Sequence, residues 1–240
     1  MTGRRRVAVA LAIATALRAN APPIGAQDRE PSPRETVKIG IFDLGPFMMT
    51  TDSGAAGGAS VDFWKTRIAP LMGVDVEISG PYPIPRLEKM LKEGTIDVIP
   101  YITKIPARDA LFLYPSRTID TITPCIIVRR DSAITSIERQ EDLFGLKVGF
   151  ITSAYIPPFL KHERITLELV TATDYRQINH QKLVNGRVDA LLDINYKSFL
   201  YEMLKRGYAQ DIRVFPLAQG QTHIFSIFPR TDRGEALRAR

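Results

Sequence analysis

Apolar residues recur along the chain with two spacings, one typical of helices and one typical of short buried strands. Helical spacing predicts helices over residues 61–71, 84–91, 174–185 and 196–204, with Pro70 marking strain or an early end in the first. The apolar and β-branched runs between them predict strands at 37–42, 74–78, 97–101, 147–150 and 188–192. Strands that alternate with helices of about ten residues indicate βαβ units, so we expect an α/β fold with parallel sheets.

One nine-residue pattern occurs twice, 92 positions apart. Residues 91–99 (LKEGTIDVI) and 183–191 (LVNGRVDAL) share the form Leu-x-x-Gly-x-aliphatic-Asp-x-aliphatic. Gly94 and Gly186 can each end a helix in the left-handed conformation, after which the chain turns directly into a buried strand. The repeat therefore predicts two α/β lobes of similar construction, and it indicates architecture rather than chemistry.

The N-terminus has the layout of a secretory signal peptide. A short basic start is followed by eleven apolar residues, Val7–Leu17, which are too few for a membrane span of about 20 residues. We place the cleavage after Ala26, so residues 1–26 are the expected signal peptide and 27–35 a polar linker. A twin-arginine route is the second interpretation, because Arg4–Arg6 stand just before the apolar run. The mature protein is expected in the periplasm.

Composition excludes several classes of protein. The chain has 240 residues, 45% of them apolar, which suffices for a buried core. Four of its 32 basic residues lie in the expected signal peptide, so the rest of the chain has 28 basic and 26 acidic residues. A mature protein with so little net charge does not suit a nucleic-acid partner. The single cysteine, Cys125, excludes an intrachain disulfide and is expected to be buried and inert.

The sequence lacks the local signatures of catalysis and cofactor binding. The sequence has no nucleophile elbow, Walker loop, dinucleotide fingerprint or His-Glu-x-x-His motif. Its three histidines, His162, His180 and His223, lack metal-ligand spacing. We therefore expect no cofactor, no metal and no enzymatic activity.

The segment after the predicted strand 97–101 carries the strongest candidate site. In open α/β sheets ligands bind beyond the carboxyl ends of strands, where Thr103 and Arg108 fall. An arginine there can bind a carboxylate through two hydrogen bonds, with the threonine hydroxyl as a further donor. The alternatives are an ion pair between Arg108 and Asp109 or another acid, and a plain loop hydroxyl at Thr103.

Several segments in order resemble one family. They are Pro46-Phe47 after the first strand, the Gly-x-aliphatic-Asp turn in each half, the Thr-x-x-x-x-Arg segment, the stretch 141–149 (EDLFGLKVG) and the stretch 185–190 (NGRVDA). Over residues 37–230 the chain resembles type 2 periplasmic solute-binding proteins of the polar amino-acid branch, solute-binding protein family 3. Each segment is a weak signal alone, but their order and spacing are specific.

The resemblance implies a two-lobed periplasmic-binding-protein type 2 fold, the Venus-flytrap, with two crossover strands. Lobe 1 would comprise residues 36–124 and, after the return crossover, 223–240, with lobe 2 at 125–222. The outgoing and returning crossovers would run at 122–128 and 223–228. Members of the family usually continue through a C-terminal helix, so we expect either that lobe 1 is under-packed or that the gene is shortened.

The resemblance also implies a ligand site. Arg108 and Thr103 would bind an α-carboxylate, and the loop at Thr152 and Ser153 would receive it from lobe 2, although the same two residue types suit a helix cap. In the family an aspartate that binds the ligand's ammonium group usually stands at the position held here by Ile194, and Asp193 lies one residue before it. Asp193 is equally suited to binding the ligand and to capping the next helix.

Three departures from the family pattern weaken the assignment of an amino acid. Leu44 replaces a stacking aromatic side chain. Tyr101 replaces a small residue and is interpreted either as pocket wall or as core. Arg86, near the start of a lobe 1 helix, would add a second positive charge to the cleft. These differences leave room for another small carboxylate.

The expected function is therefore capture of a small carboxylate-bearing solute, first of all an amino acid, by an exported monomer that delivers it to the permease of an ABC importer. Two alternatives stay open. Periplasmic cyclohexadienyl dehydratases resemble the same family and act on a ring-bearing carboxylate. A ligand-sensing module is the other alternative.

Overall fold

The computed structural model describes residues 34–152, 156–172 and 174–240. The expected signal peptide, most of the linker and Ser153 lie outside these residues. The strands are β1 (Thr36–Gly40), β2 (Met49–Thr50), β3 (Ala56–Gly57), β4 (Asp75–Ser79), β5 (Ile99–Thr103), β6 (Phe112–Leu113), β7 (Asp120–Ile122), β8 (Cys125–Arg129), β9 (Lys147–Ile151), β10 (Thr166–Val170), β11 (Ala190–Asp193), β12 (Ile212–Pro216) and β13 (Thr222–Pro229). The α-helices are α1 (Ala59–Phe63), α2 (Ala69–Met72), α3 (Ile84–Lys92), α4 (Pro106–Asp109), α5 (Tyr175–Val184), α6 (Tyr196–Lys205) and α7 (Asp232–Ala239).

Lobe 1 is built on the strands of the first half together with the last one. β1 and β4 pair in parallel, and β13 pairs antiparallel with β5, β6 and β7. A core of large apolar side chains, with Trp64 and Phe112 almost fully buried, fills the space between these strands and helices α1 to α3. The C-terminal strand therefore completes a lobe that the N-terminal half begins.

Lobe 2 is built on one five-stranded sheet in the order β10-β9-β11-β8-β12. β10, β9 and β11 run parallel, as expected of βαβ units, whereas β8 and β12 are antiparallel to their neighbours. The expectation of parallel sheets is thus wrong for β8 and β12. The chain enters lobe 2 along β8 and leaves it after β12, so these two neighbouring strands run in opposite directions.

Two connections join the lobes. The outgoing chain was expected as one strand over 122–128, but the structure divides it into β7 and β8, separated by Thr123 and Pro124. Pro124 has no N–H to continue a ladder, which accounts for the break. The return passes from β12 to β13, and β13 pairs with β7 through Thr222 and Ile122. The two crossings therefore lie side by side.

The repeated motif forms the same turn in both lobes. Gly94 and Gly186 have φ angles of 70° and 68°, and each follows the end of a helix, α3 or α5. The aspartate three residues later then bonds the neighbouring strand: Asp97 Oδ2 accepts the N–H of Lys38, and Asp189 Oδ2 accepts the N–H of Lys147, each at 2.8 Å. The prediction of an architectural role is confirmed. This hydrogen bond also explains why β5 begins at Ile99 and not at 97. Asp97 uses its side chain to bond the neighbouring strand β1 at Lys38 and precedes β5 without being part of it.

Two features of lobe 1 bear on the sequence-based expectations. The helix does not end at Pro70, which stands in the first turn of α2. A π-helical turn, Trp64–Ile68, joins α1 to α2 just before it, so the helix departs from regular α geometry at this point. The terminal helix α7 also packs well: Leu237 is 2% exposed, and Arg233 bonds Asp97, Glu35 and the carbonyl of Thr36. Arg233 therefore fixes α7 to the start of β1, and Leu237 packs into lobe 1. Among the residues that the structure describes, no helix has the length and apolar character needed to cross a membrane.

Candidate functional site

Thr103 and Arg108 meet at the carboxyl end of β5, as predicted. The chain leaves β5 at Thr103 and turns into the short helix α4, which begins at Pro106 and carries Arg108 back over the strand end. Arg108 Nη1 donates to Thr103 Oγ1 at 3.1 Å and to the Thr103 carbonyl at 3.3 Å. The threonine hydroxyl therefore orients the guanidinium.

Glu88 on α3 holds the same guanidinium from the other side. Arg108 Nε donates to Glu88 Oε1 at 2.7 Å, and the two side chains are 14% and 24% exposed. Asp109, the nearest acid in sequence, pairs instead with Lys104 at 3.1 Å. The ion pair considered as an alternative for Arg108 therefore exists, with a partner 20 residues away that no sequence signal singled out. Within the described residues, Nη2 of Arg108 makes no hydrogen bond, so part of a rigidly held fork is still available.

Tyr101 is a buried side chain with a polar role. It is 3% exposed and stacks on Phe47, with ring centroids 4.6 Å apart and planes 16° apart. Its hydroxyl donates to Asp120 Oδ2 at 2.7 Å. Burial, reinforced by this carboxylate, raises the pKa of Tyr101 well above its usual value, so it is a fixed hydrogen-bond donor.

Asp120 gathers donors from both lobes. Besides Tyr101, it accepts from the N–H of Thr121 at 2.8 Å and from Lys197 Nζ at 3.0 Å, and Lys197 lies on α6 of lobe 2. Burial alone would raise the pKa of Asp120, but these donors outweigh it and hold the pKa below its usual value. Sequence reasoning missed both Asp120 and Lys197, because their separation of 77 residues leaves no local pattern.

Asp193 ends β11 and is already paired within lobe 2. Its Oδ2 accepts from Arg176 Nε at 2.8 Å, and the two side chains are 3% and 13% exposed. Its Oδ1 accepts the N–H of Asn195 at 2.9 Å. Capping of α6, the alternative role for Asp193, is performed by Asn195, whose side chain accepts the N–H of Ser198. Arg176, on the first turn of α5, was not foreseen as the partner.

Thr152 and Arg86 lie apart from these clusters. Thr152 pairs its hydroxyl with that of Thr171 at 2.8 Å, and its N–H bonds the carbonyl of Val170. The exposed Arg86 places its guanidinium 4.3 Å from the centre of the Tyr82 ring. The structure thus joins Thr103 to Arg108, places Tyr101 and Asp193 in two other networks, and shows no contact that unites all the predicted residues it describes.

Comparisons with known proteins agree on family and fold. The profile of the bacterial extracellular solute-binding proteins, family 3, matches residues 37–230. No curated protein matches the chain.

Among solved structures, the periplasmic VFT2 domain of Bordetella pertussis BvgS is 19% identical, with a TM-score of 0.70 over 85% of each chain. Arginine-bound truncated ArgBP of T. maritima is 21% identical, with a TM-score of 0.65 over 85% of this chain and 93% of that one. An ancestral arginine-binding protein bound to arginine is 21% identical, with a TM-score of 0.65 over 86% and 92%. These structures share the two-lobed Venus-flytrap fold expected for this chain.

Proposed function

We propose that this chain, which belongs to family 3 of the bacterial extracellular solute-binding proteins, is an exported protein that captures a small carboxylate-bearing solute and passes it to the permease of an ABC importer. An amino acid is the first candidate solute. The protein works by differential affinity, since a ligand that contacts both lobes stabilises the state in which they are closed. It carries out no reaction.

The observation that carries this proposal is the preorganised guanidinium of Arg108. Glu88 and Thr103 fix its Nε and Nη1, so binding a carboxylate at the remaining N–H groups would cost little side-chain entropy. At 14% exposure the group is shielded from solvent yet accessible, and a charge-assisted hydrogen bond is stronger there than at an open surface. The arginine-bound proteins with the same fold support an amino acid as the first ligand to test.

The experiment is a thermal-shift screen of amino acids and small carboxylates, followed by calorimetric titration of any hit. A ligand at 100 times its dissociation constant adds about 2.7 kcal/mol of apparent stability, which a melting curve registers. The Arg108→Ala variant also carries Glu88→Gln, so that no carboxylate is left without its counter-ion. We expect this double variant to bind at least about a hundredfold more weakly, because a desolvated charge pair with the ligand is lost.

Arg129→Ala is the matched control. Arg129 also forms an arginine–carboxylate pair, with Asp131 at 3.0 Å, but its side chain is 40% exposed and lies in lobe 2. It should leave the affinity unchanged. Equal affinity in the Arg108 double variant and wild type would show that Arg108 does not bind the ligand, and the absence of any hit among carboxylates would overturn the ligand class.

Sensing is the second candidate function, favoured by the likeness to the periplasmic VFT2 domain of BvgS. The two roles differ in what the cell loses. If the protein serves import, deleting its gene should abolish uptake of the radiolabelled ligand. If it serves sensing, deletion should abolish the transcriptional response to the ligand and leave uptake intact. Turnover of prephenate or arogenate by the purified protein would contradict both roles and restore the dehydratase alternative.

A further inference from the structure

The first turns of α6, in lobe 2, lie directly against lobe 1. Ser198 Oγ donates to the carbonyl of Gly45 at 2.6 Å, and Tyr201 Oη lies 3.5 Å from Met49 Sδ. Lys197 Nζ is 3.0 Å from Asp120 Oδ1. We call Lys197, Ser198 and Tyr201 the α6 latch. The helix itself belongs to lobe 2, because its buried residues Phe199 and Met203 pack in the same core cluster as strands β8 and β11.

The contact at Gly45 is packed too closely to admit a ligand. Ser198 is fully buried and Gly45 is buried. A Cβ atom at Gly45 would stand 2.7 Å from Tyr201 Cε1 and 3.2 Å from Glu202 Oε1. Gly45 is absent from the glycines with positive φ, so glycine is required here for the close approach of α6 and not for its backbone conformation. At Gly45 the two lobes are therefore in direct contact.

The second contact joins the latch to the hydrogen-bond network around Asp120. Lys197 approaches both oxygens of this carboxylate, at 3.0 and 3.3 Å, while Tyr101 donates to one of them at 2.7 Å. Asp120 is 21% exposed, so the ion pair is partly shielded from solvent although Lys197 is 56% exposed. This contact adds a charge interaction between the lobes at the base of β7.

We propose that the α6 latch holds the two lobes closed in the absence of any ligand. The resting protein is then already in the state that a binding protein ordinarily reaches by capturing its solute. A ligand shifts a conformational equilibrium only by its differential affinity for the two states, and a population that is already closed has little left to shift. This inference concerns the empty protein and is independent of which ligand, or whether any, binds at Arg108.

Pulsed electron paramagnetic resonance tests the proposal by measuring the distance between the lobes. Spin labels are attached to Leu71→Cys in lobe 1 and Leu169→Cys in lobe 2, at side chains that are 88% and 43% exposed, while Cys125 is fully buried and stays unlabelled. The protein is unfolded in guanidinium, dialysed and refolded, so that co-purified solute is removed. We expect a single population of distances between the two labels, at the separation that positions 71 and 169 have in the closed structure.

The test variant is Ser198→Ala, and the matched control is Ser226→Ala. Both remove a buried serine hydroxyl that donates to a carbonyl, but Ser226 bonds Pro100 at 2.9 Å inside lobe 1. Ser198→Ala leaves the Gly45 carbonyl without its partner in the closed state only, so the ratio of open to closed molecules should rise about tenfold. Gly45→Ala, which forces a Cβ against Tyr201, should open the protein as well and serves if Ser198→Ala fails to fold.

Three results would overturn the proposal. One is a refolded wild-type protein that shows a long distance population. Another is an unchanged short distance in both latch variants. The third is a control variant that opens the lobes as much as Ser198→Ala does. A ligand that binds without changing the distance distribution would support the latch and would still agree with ligand binding at Arg108, but it would contradict ligand-driven closure as the working step of the import role. Loss of affinity in the Arg108 double variant tests binding alone and the distance distribution tests the latch alone, so failures of the two proposals are distinguishable.

Discussion

Replacing Asp97 by asparagine is expected to destabilise lobe 1, whereas the equivalent change at Asp189 should be nearly neutral. Both aspartates occupy the same place in the repeated turn and accept one strand N–H at 2.8 Å. Asp97 is 8% exposed and also receives Arg233 Nε at 2.5 Å and Nη2 at 3.0 Å, whereas Asp189 is exposed and has no ion pair among the described residues.

The magnitude follows from what asparagine can replace. Its carbonyl oxygen can still accept the strand N–H, but its amide nitrogen would face Arg233, donor against donor. Hydrogen bonds to charged groups contribute about 1.5–3 kcal/mol, and since Arg233 is 45% exposed we expect a loss of about 2 kcal/mol for Asp97→Asn. For Asp189→Asn we expect about 0.5 kcal/mol or less.

Urea unfolding measures the difference. Trp64 is the only tryptophan and lies in the core of lobe 1, so its fluorescence reports on that lobe, and circular dichroism follows the whole chain. The pH dependence gives a second test. Burial would raise the pKa of Asp97, but the bonds from Arg233 and from the N–H of Lys38 outweigh it and lower the pKa.

The sign of the pH effect follows from this lowered pKa. The stabilisation is complete above the unfolded value of roughly 4 and is lost as pH falls through the lower folded value. The gap between wild type and Asp97→Asn should therefore narrow from pH 5 to pH 3. Equal losses in the two variants at pH 7, or a gap that does not change with pH, would refute the reasoning.

Three further outcomes are expected. Gly94→Ala should cost about 1 kcal/mol in urea unfolding and Gly94→Asn less, because only the left-handed backbone at 70° is strained and no atom lies within 4 Å of the added Cβ; equal costs would contradict this. Cys125 should react with a thiol reagent only on unfolding, because burial raises the pKa of its thiol; fast labelling of the folded protein would be inconsistent. Arg176→Leu should lower the free energy of unfolding of lobe 2 by about 3–5 kcal/mol, since it leaves the buried Asp193 carboxylate unpaired. Adding Asp193→Asn should restore part of this stability, as measured by circular dichroism during unfolding, and no recovery would argue against the pairing.

Local patterns predicted much of the fold. Helical spacing located α3, α5 and α6, and the two Leu-x-x-Gly-x-aliphatic-Asp segments identified turns that the structure repeats in both lobes. Thr103 and Arg108 were predicted as neighbours because only five residues separate them at the end of one strand. These features depend on backbone preferences and on contacts within one turn or one strand end, which the order of residues specifies directly.

The partners of the predicted site residues were decided by tertiary structure. Glu88 reaches Arg108 from α3, Arg176 reaches Asp193 from α5, and Lys197 reaches Asp120 from the other lobe. A charged side chain pairs with the nearest opposite charge that packing brings within hydrogen-bond distance, and that distance is unrelated to separation along the chain. The sequence by itself thus determined which lobes form and where their turns lie. Packing within each lobe decided the partners of Arg108 and Asp193, and the docking of one lobe on the other decided the partner of Asp120 and how closely the two halves meet.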